Sequence, residues 1–274
     1  MCVETQNAIV PFVANMNFYR DVTRLLATHG IEYLVGGGYA FGHYTGLQRD
    51  TKDLDIVVRP RDLSRVLRIC EAAGYRTELT SPHWLAKVFF EEDFVDIIFN
   101  SGNGVCRIDE AWFVRAREAE FLDTRVRIIP PEEMIWQKAF IMERERFDGA
   151  DVAHLLLNCA QELDWKHLVD RFDVDWRLLL SHLLLFGYIY PSRKKMIPKN
   201  VVSRLLSQLI ADETEPATEN QICNGTFLSR EQFLSDVSDK GFLDARVGPR
   251  CVMTQKDIEL WTLAAAEERG LGSG

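Results

Sequence analysis

At 274 residues the chain has room for one large domain or two modest ones with an ample core. Hydrophobic residues make up 47% and charged residues 27%, the balance of an ordinary soluble globular protein. The net charge of −9 excludes a generic nucleic-acid binder, which is usually basic, but leaves room for a local basic patch.

Six cysteines (Cys2, Cys70, Cys106, Cys159, Cys223 and Cys251) are scattered without a CxxC or a Cys/His cluster. A zinc site or a disulfide framework is therefore not expected, and the usage fits a reducing compartment. The N-terminal stretch lacks the basic and apolar segments of a signal peptide, and no run is long enough to span a bilayer. The expectation is a cytoplasmic protein with no membrane association.

In chain order, FYRDVTRLLATHG (18–30) has helical period and closes on Gly30. IEYLV reads as a buried strand, and GGGYAFGHYTG as a tight turn into a short helix. LDIVV is a second strand, stopped by Pro60, and RDLSRVLRICEAAG is an amphipathic helix ending on glycine. LAKVFF and VDIIF are β-rich runs separated by the acidic turn EEDF, which predicts a hairpin. After VRIIPPEEM the texture changes. From about 131 to 210 apolar residues recur at helical spacing, in MIWQKAFIMERERF, ADVAHLLLNCA, WKHLVDRF and WRLLLSHLLLFGYIY. A boundary at Pro130-Pro131 is expected, with an α/β domain over 1–130 and a mainly helical one over 131–274.

One array asks for more than a fold. A strand runs into Gly36-Gly37-Gly38 and a short helix; Arg49, Thr51 and Lys52 follow, then Asp53-Leu54-Asp55 opening the next strand. Side chains alternate along a strand, so Asp53 and Asp55 share a face, where two carboxylates require a cation between them. Oxygen-only ligands suit Mg²⁺ or Mn²⁺. A glycine turn at a helix N-terminus offers backbone N–H groups to an anion, which bulky side chains would obstruct. Metal and phosphate cradle together point to phosphoryl or nucleotidyl transfer. The competing reading is a packing turn beside a chance pair. Asp173-Val174-Asp175, the same triplet in helical surroundings without a glycine turn, shows that the triplet alone carries little.

Gly37-Gly38-Tyr39-Ala40 with Arg49-Asp50-Thr51-Lys52-Asp53-Leu54-Asp55 resembles the first motif of the polymerase-β-like nucleotidyltransferase superfamily. Its closer form is similar to uncharacterised bacterial nucleotidyltransferases and to AbiEii-type toxin enzymes. Glycine stands where many members carry a phosphate-binding serine. The resemblance implies an α+β fold: a small mixed sheet with helices, followed by a helical C-terminal region. It also implies a third carboxylate on a later strand, which VDIIF supplies as Asp96; the alternative is an edge-strand aspartate facing water. A later pattern of Lys, Arg and D-x-x-D is matched by Lys138, Arg144 or Arg146, Asp148 and Asp151. For Lys138 the alternative is a helix-surface ion pair with Glu145, and for the aspartates a capping arrangement with Asp148 as N-cap.

The implied enzyme moves a nucleoside monophosphate from an NTP to a hydroxyl of an acceptor (small molecule, RNA or protein) and releases pyrophosphate. Asp53, Asp55 and Asp96 are its expected catalytic and metal-binding residues. Gly36, Gly37, Gly38, Arg49, Thr51 and Lys138 are expected at the nucleotide, and Mg²⁺ or Mn²⁺ is the expected cofactor. Two alternatives stand beside it: a toxin that nucleotidylates tRNA or protein and has an antitoxin partner, and an inactive NTP-binding scaffold. His43, His154 and His182 and the tryptophans Trp136, Trp165, Trp176 and Trp261 are expected to be structural. The basic cluster Arg193, Lys194, Lys195 and Lys199 is expected to be a solvated loop, with an RNA contact as its alternative.

Overall fold

The structure, a computed structural model, describes residues 16–47, 53–214, 216 and 221–271, with side chains placed up to residue 265. The chain divides into two compact units. The first comprises Met1–Asn100 and Ile108–Pro130, the second Ser101–Arg107 and Pro131–Gly274.

The first unit contains α1 (Met16–Thr28), β1 (Tyr33–Val35), α2 (Gly37–Thr45), β2 (Leu54–Val58), α3 (Leu63–Ala72), β3 (Arg76–Ser81), β4 (Leu85–Phe90), β5 (Asp93–Ile98), α4 (Glu110–Val114), β6 (Arg117–Phe121) and β7 (Thr124–Ile128). Among the described residues the strands form one seven-stranded sheet in the order β3-β4-β5-β2-β1-β7-β6. Pairing is parallel for β2 with β5 and for β1 with β7, and antiparallel elsewhere, so the sheet is mixed. The central strands are apolar on both faces: Leu34, Val35, Ile56, Val57, Val58, Val95 and Ile97 are buried. Their burial, with that of Phe18, Val22, Leu26, Val66 and Cys70 of the helices, supplies the main driving force for this unit.

The strand, glycine turn and helix expected at 33–45 are present, as are β2, α3 and the β4–β5 hairpin. Three further strands appear. In β3, at the sheet edge, most residues are exposed and polar, so no apolar alternation marks it. The β6–β7 hairpin turns on Leu122 and Asp123, both at positive φ, without the Gly or Asn that usually signals such a turn.

The second unit contains α5 (Pro131–Ala139), α6 (Gly149–Cys159), α7 (Trp165–Phe172), α8 (Trp176–Ile189), α9 (Lys199–Asp212), β8 (Ile222–Cys223), α10 (Leu234–Ser238), β9 (Leu243–Asp244) and α11 (Gln255–Leu271). Its helical character matches the expectation for the region after residue 131. Residues 101–107, which a single cut at Pro130 would leave in the first unit, cluster instead with the second. The Gly104 carbonyl accepts from Val252 N at 3.0 Å, and the Arg107 Nη2 donates to Arg250 O at 3.2 Å.

The helical period of MIWQKAFIMERERF overextends the helix, and this is a correction. α5 stops at Ala139, and the chain folds back with an antiparallel bridge between Met142 and Phe147. The reason is tertiary: Met142 N donates to Leu228 O at 2.9 Å, and Glu143 accepts from Ser229 Oγ and Arg230 Nε at 2.7 and 2.9 Å. Those bonds hold the segment away from a helical path. In the same unit the fully buried Glu133 takes His167 Nε2 at 2.7 Å and Arg171 Nε at 2.9 Å, fastening α5 to α7.

Candidate active site

The site is built where β1 ends and β2 begins. Gly36 N donates to Asp55 O at 2.9 Å, so the glycine turn is tied to the strand that carries the aspartate. Gly37 follows at φ +52°, the left-handed region open to glycine. A Cβ on Gly37 would lie 1.5 Å from Asp55 Oδ2, so the bare backbone is what lets the carboxylate rest against the turn. α2 then starts at Gly37, with Gly36 as its N-cap, and closes on Gly46 in the left-handed conformation. Tyr44 Oη fixes α2 by donating to Ile129 O at 2.8 Å, and Tyr39 Oη donates to Glu120 O.

Asp55 and Asp96 are register partners on the parallel strands β2 and β5, which sets both side chains on one face of the sheet. β5 lies between β4 and β2, so Asp96 stands on an interior strand, and the edge-strand alternative is set aside. Asp53 precedes the first residue of β2 and is half-buried. Burial pushes the Asp96 carboxyl above its usual range; Lys87 opposes that, and the Asp53 charge reinforces it. The Tyr19 phenol of α1 reports the same field. It is pushed up to about 12, mainly by burial, with further contributions from Asp93, Asp53 and Asp96.

Sequence reasoning missed Lys87. It lies directly opposite Asp96 in the β4–β5 hairpin, with Nζ 2.6 Å from Asp96 Oδ1 and 3.7 Å from the centre of the Phe94 ring. The signal was in the hairpin itself. With Glu91-Glu92 as a two-residue turn, Phe90 pairs with Asp93, and counting back pairs Lys87 with Asp96.

Arg49 and Thr51 lie outside the described residues. Lys138 belongs to the second unit, and the Glu145 ion pair that stood as the alternative to its nucleotide role is replaced by other partners. Lys138 Nζ binds Asp148 Oδ2 at 2.8 Å and Asp151 Oδ2 at 2.6 Å, whereas Glu145, beyond the end of α5, pairs with Arg144. Of the two candidate arginines it is Arg146 that joins the cluster, with Nε 2.8 Å from Asp148 Oδ1. Asp148 is the N-cap of α6 but makes no side-chain cap, since its carboxylate faces the two cations. Burial raises the Asp148 carboxyl, yet Arg146 and Lys138 outweigh burial and hold it at about 2. His182 is buried, with Nε2 3.1 Å from Ala139 O, a structural position.

The carboxylates of Asp53, Asp55 and Asp96 are an all-oxygen donor set, a chemistry that fits Mg²⁺ or Mn²⁺. Among the described residues no group of three or more His, Cys, Asp or Glu is gathered closely enough to hold a metal, and the cation at Asp96 is the Lys87 ammonium. No helix among the described residues is long and apolar enough to cross a membrane.

A family model described as "Uncharacterised nucleotidyltransferase" matches residues 13–187. No curated protein matches the chain. Similar solved structures include the antibiotic-resistance factor ANT(2'')-Ia, at 15% identity and a TM-score of 0.44, covering 64% of this chain and 97% of that one. A lincomycin-bound lincosamide antibiotic adenylyltransferase, LnuA, is 20% identical with a TM-score of 0.38, covering 52% and 95%. An antigenic nucleotidyltransferase-like protein from Paracoccidioides brasiliensis is 14% identical with a TM-score of 0.45, covering 66% and 90%.

Proposed function

The chain belongs to the family of uncharacterised nucleotidyltransferases, and on that premise we propose that it uses a divalent metal to move a nucleoside monophosphate from an NTP to an acceptor hydroxyl. The acceptor oxygen forms a bond to the α-phosphorus, the bond to the β-phosphate oxygen breaks, pyrophosphate leaves, and the hydroxyl proton is released. The observation that carries this reading is the face shared by Asp55 and Asp96, with the Gly37 backbone packed on the Asp55 carboxylate.

Asp53 and Asp55 would hold the metal that meets the triphosphate, and Asp96 would complete the site at the attacking hydroxyl. Bound there, Mg²⁺ or Mn²⁺ would offset the triphosphate charge and lower the pKa of that hydroxyl. The amides of Gly36, Gly37 and Gly38 would steady the phosphates, with Arg49 and Thr51 from the preceding segment. Lys138 is not needed for this charge balance, because its ammonium is already engaged by two carboxylates.

Calorimetry with each NTP tests the reading. Mn²⁺ should strengthen binding, because the carboxylates repel a bare triphosphate until a cation bridges them; equal affinity in EDTA and in Mn²⁺ overturns it. Incubation with labelled NTPs, metal and a cell extract then identifies the molecule that becomes labelled.

A further inference from the structure

Lys87 is placed with more care than a surface ion pair requires. It faces Asp96 across the narrow span of an antiparallel pair. Its ammonium is 2.6 Å from Asp96 Oδ1 and sits over the ring of Phe94, two residues before Asp96 and therefore on the same face. The side chains of Lys87 and Asp96 are only 20% and 13% exposed. An ammonium so positioned takes the lone pairs that a metal would use, and a divalent ion bound at about 2.0–2.1 Å from the same carboxylate would be repelled by it.

Resting on the metal-site reading above, we infer that Lys87 competes with the divalent cation for Asp96. It neutralises the third carboxylate in the free enzyme and withdraws when the metal enters. Lys87 is thus a positioning residue that sets how tightly, and when, the site closes around metal. The hairpin supplies the cation that offsets the Asp96 charge while no metal is bound.

The test uses the full chain and Mn²⁺ alone, with free Mn²⁺ followed by electron paramagnetic resonance. Lys87→Met keeps the length and removes the charge, so Mn²⁺ should bind roughly tenfold tighter or more, the scale of one charged hydrogen bond that no longer has to be broken. Lys87→Arg should stay near wild type, and adding Asp96→Asn to Lys87→Met should erase the gain. A second measurement needs no variant: amine-reactive labelling of Lys87, read by mass spectrometry, should rise severalfold when the wild type is saturated with Mn²⁺. Unchanged affinity in Lys87→Met, or labelling indifferent to Mn²⁺, overturns the competition. Asp55→Asn separates the two levels. If it leaves Mn²⁺ affinity untouched, the metal site itself is misassigned; if it weakens binding while Lys87→Met gains nothing, only the role of Lys87 falls.

Discussion

Gly37 and Asp55 are in van der Waals conflict with any side chain larger than hydrogen, because a methyl on Gly37 would sit 1.5 Å from Asp55 Oδ2. Gly46 is the natural control. It is also left-handed, at φ +71°, but nothing lies within 4 Å of its would-be Cβ. Gly46→Ala should therefore cost only the left-handed backbone, about 1–2 kcal/mol, and keep NTP affinity. Gly37→Ala should cost more than that and weaken NTP binding at least about tenfold, since the carboxylate must move. Denaturant titration and calorimetry on both variants check this; equal losses with wild-type affinity would show that the turn does not shape the site.

The three aspartates should separate by stability as well as by activity. Asp53→Asn and Asp55→Asn should abolish transfer while leaving the melting temperature equal or higher, because relieving repulsion stabilises a metal-free site. Asp96→Asn should abolish transfer and also destabilise by about 1.5–3 kcal/mol, because it strips Lys87 of a charged hydrogen bond in a largely buried place. Asp175→Asn should show the reverse pattern: it loses the 2.5 Å contact to Arg250 and some stability, but keeps transfer. Full activity in Asp96→Asn would mean that another group serves as the third ligand.

Much of this arrangement could be read from residues 33–58, because each signal there is local: a glycine turn, a strand start and a two-residue carboxylate spacing. Asp96 was legible for a different reason, as a charge inside an apolar run. What escaped was non-local. Met142 to Phe147 keep a helical period, yet the backbone bond from Met142 to Leu228 and the Glu143 contacts to residues 229–230 pull them into a loop. The partners of Lys138 followed from that loop, since Asp148 and Asp151 come within reach only after the chain has turned back. The β6–β7 hairpin was hidden because Leu122 and Asp123 stand at positive φ where Gly or Asn usually marks the turn.

Acid should act on the second unit through Asp148. Its carboxyl titrates at about 2 in the folded protein, below its ordinary value of 3.8. A carboxyl depressed by folding stabilises the native state above the ordinary value and loses that contribution as pH falls toward the folded one. The wild type should thus exceed Asp148→Asn in unfolding free energy by on the order of 2 kcal/mol at pH 6. The gap should close between about pH 4 and pH 2. Urea unfolding of both proteins across that range measures it; a gap that does not depend on pH would mean that the ion pairs contribute nothing through the charge of Asp148.

Lys138 carries the last prediction, because its two candidate roles diverge sharply. Its ammonium lies between Asp148 and Asp151, whose side chains are 8% and 6% exposed. Removing the lysine leaves two buried carboxylates, with Arg146 on Asp148 as the neighbouring cation. Breaking a buried pair from one side costs about 3–5 kcal/mol, so Lys138→Ala should lower stability by that order. A lysine already neutralised by two carboxylates has little charge to offer a triphosphate, so NTP affinity, measured well below the variant's melting temperature, should stay within about twofold. Lys138→Arg should recover part of the stability, limited by how well a planar guanidinium fits a pocket shaped for a point charge. A folded Lys138→Ala protein whose NTP affinity falls tenfold or more would restore Lys138 to the phosphates and require its release from Asp148 and Asp151 on nucleotide binding.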